Sequence, residues 1–208
     1  MYSAGVKQGG TSEKLIQATR ELLWERGYVG TSPKAIQQRA GAGQGSMYHH
    51  FSGKPDLART AVRRSAEDMR ATAEADLGGD GSPYERVRGY LLRERSVLLG
   101  CRIGGLAQDP DVVADPGLRE PLEETFGWLR GRLTAVLEEG RESGEFDAQL
   151  DPAGTAAAVV AVVQGGYVLA RSAADPTAFR QATEGLLALL TARTVRHDVG
   201  HPSERVTQ

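Results

Sequence analysis

Residues 33–51 read PKAIQQRAGAGQGSMYHHF. Thr31 or Ser32 can cap a helix that begins at Pro33, where a missing N–H costs nothing, and that ends at Gly41 with Ile36 and Ala40 inward. Gly41-Ala42-Gly43 permits a tight reversal, after which residues 44–50 can make one or two helical turns with Met47, Tyr48 and Phe51 on an apolar side. Two short helices joined by a brief glycine-containing turn are the pattern of a helix-turn-helix, whose second helix enters the DNA major groove. Gln44, Ser46, His49 and His50 fall early and outward on that second helix, where they can reach base edges or phosphates. Met47 and Phe51 would anchor it from behind, and Tyr48 could set its hydroxyl on a phosphate with its ring against the fold.

Moving outward, Leu15, Ile16, Thr19, Leu22 and Leu23 share one helical face and predict a helix over about 12–26, closed by Gly27. Ser52-Gly53 breaks the third short helix. Pro55 and Asp56 suit the first turn of a long fourth one, running to about Leu77 with Leu57, Ala61 and Met69 inward. Turn formers fill 78–83, and helical patterns then recur over about 84–99, 101–108, 116–142, 152–173 and 176–194, with no strand signal. The predicted fold is all-α: a three-helix helix-turn-helix domain over 11–57 and a larger helical ligand-binding and dimerisation domain over 58–195, about nine helices in all. A flexible tail is expected over 1–10 and a disordered one over 196–208.

The last two helices are apolar over most of their circumference. Ala156, Val159, Val160 and Val163 form one face of the first, and Phe179, Thr183, Leu186, Leu187 and Leu190 a stripe on the second. Few other elements remain to cover them, so self-association into a four-helix bundle is expected, giving a homodimer. The stretch 153–170 approaches membrane-spanning length, but Gly154, Thr155, Gln164, Gly165 and Gly166 interrupt it; it reads as a buried helix, with no membrane partner.

The net charge of −2 conceals an asymmetry: residues 1–64 carry 10 Lys/Arg against 4 Asp/Glu, and residues 65–208 carry 15 against 23. A polyanion would therefore meet the amino-terminal end. The single cysteine, Cys101, excludes an internal disulfide framework and fits a reducing compartment. The first residues lack an apolar core behind a basic start, so no secretory signal is expected and the cytoplasm is the expected location.

Gly27-Tyr28-Val29-Gly30-Thr31-Ser32, Ile36, Ala40-Gly41, Gly45-Ser46-Met47-Tyr48-His49-His50-Phe51 and Lys54-Pro55-Asp56-Leu57 together resemble the DNA-binding domain of the tetracycline-repressor (TetR) family, over roughly residues 11–60. The resemblance implies that Thr31 or Ser32, Tyr48 and Lys54 hold phosphates and that Gln44, Gly45, Ser46, His49 and His50 face the groove; Lys34 completes the expected DNA-binding set. Gly43 departs from the family, which more often has a capping serine or threonine there. So does Gln37-Gln38-Arg39, where Arg39 reads either as a phosphate contact or as a solvated charge. Residues 100–107, GCRIGGLA, resemble a segment of the branch that includes lincomycin-type resistance regulators. By resemblance the protein is a dimeric repressor of a near-palindromic double-stranded DNA operator, the last two helices make the dimer, and a small-molecule inducer binds among the helices of residues 84–142.

Competing readings narrow this picture. Adjacent His49 and His50 point about 100° apart on a helix and do not suit one shared ion, so no metal site is expected. Gly41-x-Gly43-x-Gly45 follows a helix rather than a strand and has Ser46 where a dinucleotide fingerprint needs glycine; Gly53-Lys54 is followed by Pro55 and not by a magnesium-binding hydroxyl. Cys101 reads as a small buried hydrophobe or as a thiol sensor without a resolving partner. Phe126, Trp128, Leu129 and Tyr167 line an inducer pocket or are plain core, and Arg102 and Arg130 meet an anionic inducer or a surface acid. An enzyme would need a polar constellation that the carboxy-terminal region lacks, since its only histidines are His197 and His201. No catalytic residue and no cofactor other than the inducer are therefore expected. An activator or a nucleoid-type binder could use the same head.

Overall fold

In the computed structural model, residues 10–194 are described. The order is α1 (Thr11–Arg26), α2 (Pro33–Ala40), α3 (Gln44–His50), α4 (Lys54–Leu77), α5 (Pro83–Leu92), two 3-10 turns (Val97–Leu99 and Leu106–Gln108), α6 (Pro110–Ala114), α7 (Pro116–Glu142), α8 (Pro152–Ala173) and α9 (Thr177–Thr194). No strand occurs among the described residues. The two expected tails lie outside them, apart from Gly10, which caps α1.

Two compact units are present. The first comprises the described residues up to Ala73 together with Ser96–Leu129; the second comprises Glu74–Arg95 and the described residues from Arg130 on. The sequence expectation placed the end of the DNA-binding domain at residue 57, whereas the unit that holds it extends along α4 and takes in a later segment of chain. The reason lies in its core: Leu15, Leu22, Ile36, Met47 and Leu57 are fully buried with Ile103 and Leu118 in the same apolar cluster. Each such side chain stabilises by about 1.5–3 kcal/mol relative to exposure, and three short helices alone supply few of them.

In the second unit α5 begins with a capping box. Ser82 Oγ accepts from the Glu85 N–H, and Glu85 Oε2 accepts from the Ser82 N–H at 2.9 Å. α8 and α9 pack through Ala156, Val159, Val163 and Ala170 on one side and Phe179, Thr183, Leu187 and Leu190 on the other. Gly166 permits the approach, since a Cβ there would stand 2.9 Å from the Phe179 ring.

Two expected helices are corrected. The one expected over 84–99 stops at Leu92, because the Arg95 guanidinium turns back and donates to the Tyr90, Leu91 and Arg93 carbonyls at the end of α5. The one expected over 101–108 is a turn ending in 3-10 geometry. Gly100 has φ +82°, and the Gly104 N–H donates to Cys101 Sγ at 3.2 Å, which holds the chain in a tight bend. α6 was not expected at all, although Asp109 caps it through the Asp111 N–H and Pro110 opens it. Of the most apolar 18 residues of α8, 28% are buried; the helix has the length and composition of a membrane span, a criterion that core helices also meet.

Candidate nucleic-acid interface

α2 and α3 are set by local chemistry. Ser32 is the N-cap of α2 and accepts from the Ala35 N–H at 3.1 Å, with Pro33 in the first turn. Gly41 ends the helix in the left-handed region at φ +61°, a conformation open to glycine without strain. Gly43 begins α3 with no side-chain cap, as the departure from the family pattern anticipates.

Met47 is fully buried and Phe51 nearly so, which fixes the orientation of α3. Gln44, Gly45, Tyr48, His49 and His50 are then exposed and Ser46 half-buried. The His49 and His50 rings meet edge to face at 5.0 Å between centroids. Tyr48 is 51% exposed, so its ring is held less by the fold than the sequence suggested. The arrangement offers a continuous row of donors and acceptors on a short helix backed by an apolar anchor, suited to base edges and phosphates.

The flanking residues divide. Ser32 and Lys34 are exposed, but Thr31 is buried and its hydroxyl donates to the Gly27 carbonyl at 2.7 Å, which leaves Ser32 as the accessible member of that pair. Lys54 lies half-buried with its ammonium 3.9 Å from the centroid of the Tyr28 ring. Burial pushes the Lys54 pKa down, opposed by Asp109 and Asp111, and burial pushes Tyr28 up with help from Asp115, Asp111 and Asp109. Arg39 makes a two-pronged ion pair with Glu25 at 2.8 Å for each bond and a longer one with Glu21, joining α2 to α1. That hydrogen bond holds Glu25 below the usual carboxylate range. Arg39 is thus an exposed charge paired within the fold.

Sequence reasoning missed the residue that braces this head. Asp109 Oδ2 accepts from the Tyr28 N–H at 2.9 Å and the Val29 N–H at 3.0 Å, tying the turn after α1 to the start of α6. Partners 80 residues apart leave no local signal, so only the Asp-Pro start of α6 was available to hint at it. A second brace joins Trp24 Nε1, which donates to the Gly100 carbonyl at 2.9 Å, while Arg102 stacks 3.7 Å over the indole.

Of the expected inducer-pocket residues, Arg102, Phe126, Trp128 and Leu129 belong to the first unit and Tyr167 to the second. Leu129 is buried, and Phe126 and Trp128 are half-buried. Tyr167 tilts against Phe179 with 4.9 Å between centroids. No cluster of three or more His, Cys, Asp or Glu able to hold a metal ion occurs among the described residues.

Residues 15–61 match the family described as bacterial regulatory proteins, tetR family, and residues 84–186 match the tetracyclin repressor-like C-terminal domain. The chain belongs to the TetR family. Among curated relatives, an uncharacterized HTH-type transcriptional regulator of Lactococcus lactis subsp. lactis, named for the lacX 3' region, is 26% identical over 79% of this chain and 85% of its own length. The HTH-type transcriptional repressor DhaR of Mycobacterium sp. (strain GP1) is 26% identical over 75% of this chain and 80% of its own. A TetR-family transcriptional regulator from Agrobacterium tumefaciens of known crystal structure superposes with a TM-score of 0.78 at 25% identity, covering 87% of this chain and 97% of that one. As a TetR-family member the protein is a DNA-binding transcriptional regulator, and the relatives are regulators rather than enzymes.

Proposed function

We propose that this TetR-family protein is a cytoplasmic homodimeric repressor that reads a near-palindromic operator with α3 and releases it when a small molecule binds its helical region. The observation that carries the reading is α3 itself, with Gln44, Gly45, Ser46, Tyr48, His49 and His50 turned outward around a buried Met47, in the basic part of the chain. Gln44, Ser46 and His49 are assigned to base edges; Ser32, Lys34, Tyr48 and Lys54 are assigned to phosphates. Two such heads about 34–36 Å apart would match successive major grooves.

The dimer is assigned to α8 and α9. Their buried faces serve each other, and Ala161, Gly165, Val168, Leu169, Ala188 and Leu189 remain exposed, an apolar surface that a second copy would cover. The effector acts only through its preference for the state that does not bind DNA. Phe126 and Trp128, large and half-buried on α7, support its placement in the helical region.

The test is a mobility shift with the DNA upstream of the protein's own gene, against same-length competitor at near-physiological salt. Binding that survives competitor and protects a narrow palindromic footprint is expected. Binding abolished equally by any DNA would overturn the operator-reading role. A reporter fused to the bound promoter separates repression, expected as reduced output, from activation.

A further inference from the structure

Arg95 is a largely buried guanidinium with no carboxylate paired to it among the described residues. Nη1 donates to the Leu91 and Arg93 carbonyls at 3.1 and 2.9 Å, and Nη2 donates to the Tyr90 carbonyl. By count, the Nε–H and one Nη2–H are left over, and Nε is sealed from solvent without an acceptor. Those two donors sit on adjacent nitrogens, the pairing through which a guanidinium takes a carboxylate in two parallel bonds.

The surroundings are cationic and aromatic. Arg93 lies 5.2 Å and Arg95 5.3 Å from the Tyr90 ring centroid, and Arg95 also lies 5.5 Å from that of Phe179, against which Tyr167 is tilted. The acid beside the two arginines is Asp76, whose Oδ2 accepts from Arg93 Nη1 at 3.0 Å, with both side chains about one-fifth exposed. Among the described residues two guanidiniums thus share one carboxylate, an excess positive charge in a stretch of chain whose overall balance is acidic. Burial holds the Arg95 pKa down and Arg93 adds to the effect, opposed by Tyr167, Tyr90 and Asp76, so a further anion at the unused donors would offset part of the cost of burial. Capping α5 accounts for the three bonds to carbonyls, not for the second arginine or for the unused donors.

We propose that Arg93 and Arg95, framed by Tyr90, Tyr167 and Phe179, bind the carboxylate of a small aromatic acid, with Asp76 as the internal counter-ion that the ligand competes against. The inference rests on the effector reading above and names the effector's chemical class.

The probes are phenylacetate and 3-phenylpropionate, with phenylacetamide as the uncharged counterpart, titrated calorimetrically into the full-length protein up to about 10 mM. The acids are expected to bind and the amide to bind at least about tenfold more weakly. Arg95→Lys should weaken the acids by about tenfold or more, because an ammonium cannot reproduce the fork. Arg95→Lys also disturbs the end of α5, so Asp76→Asn supplies the opposite sign: removing the competing carboxylate should tighten the acids by about threefold or more. Equal affinity for acid and amide, no binding of either acid, or an Asp76→Asn protein that binds the acids more weakly would each overturn the site. If the acids bind with this pattern but leave the DNA complex intact, the site stands and the effector reading falls. If they release DNA while both variants bind them like the parent, the effector reading stands and this site falls.

Discussion

In α3 and just after it Met47 and Phe51 turn inward, Met47 completely, while α8 and α9 leave Val168 52%, Leu169 53% and Leu189 68% exposed. Both regions are helical, yet they spend their surfaces differently. The head buries its apolar side chains in a core completed by Ile103 and Leu118 of its own unit and offers polar groups outward, as a reader of a charged, hydrated polymer must. The α8–α9 pair finishes only half of its core and offers hydrocarbon outward, as a surface completed by another protein does. Function in the head therefore depends on individual side chains, and function at the pair depends on area.

The largest expected effect comes from reversing the chemistry of the pair. Leu169→Asp combined with Leu189→Asp places charge on the exposed apolar face without touching Val159, Val163 or Leu187 beneath it. Sedimentation should report a monomer, and operator affinity should fall by about 10²-fold or more as the second half-site becomes a separate binding event. A dimer that persists would remove the assignment of this face. Next, Met47→Ala should lower stability by about 2–5 kcal/mol through the cavity it leaves, seen as a reduced melting temperature. An unchanged melting temperature would mean that α3 is not held from behind by Met47.

Within the head the contrast sharpens to two residues. Gln44→Ala should cost about 1–3 kcal/mol on the cognate operator and little on a mismatched one, losing discrimination. Lys54→Ala should weaken all sequences alike and reduce the salt dependence by about one ion per subunit. Measuring both variants on matched and mismatched duplexes across a salt series decides the roles; equal loss of discrimination in the two would sink the assignment.

The legibility of these regions in the sequence follows the same divide. α1 to α4 were readable because each boundary is local: Ser32-Pro33 starts α2, Gly41 stops it, and Met47 and Phe51 mark the inner side of α3. The break after Leu92 was not readable, because it is made by Arg95 reaching back to carbonyls, an arrangement that helical periodicity does not encode. The same holds for Asp109, which braces the Tyr28–Val29 turn from far along the chain. α6 was within reach, since Asp109-Pro110 repeats the Ser-Pro or Asp-Pro start of α2, α5, α7 and α8. In the candidate interface the exposed row on α3 was legible from spacing. That Thr31 turns inward to Gly27 while Ser32 caps was not, because two adjacent hydroxyls have the same chemistry and only packing separates them.

The smallest expected effect tests whether local capping limits the reading helix. Gly43 stands at the N-cap of α3 with φ −73° and ψ 159°, an extended conformation that any residue adopts, and a Cβ there would meet nothing within 4 Å. Gly43→Ser therefore introduces no strain and offers a hydroxyl to the first-turn N–H groups, which no side chain now caps. It also restricts the unfolded chain at a flexible position. The two effects act in the same direction, and the variant should be more stable by a few tenths to about 1 kcal/mol, read as a raised midpoint in urea at unchanged slope. If α3 frays in the free protein, operator affinity should rise by a similar free energy, because less ordering remains to be done on binding. A raised midpoint without a gain in affinity would show that α3 is already fully formed before it meets DNA, held by Met47 and Phe51 rather than by its first turn.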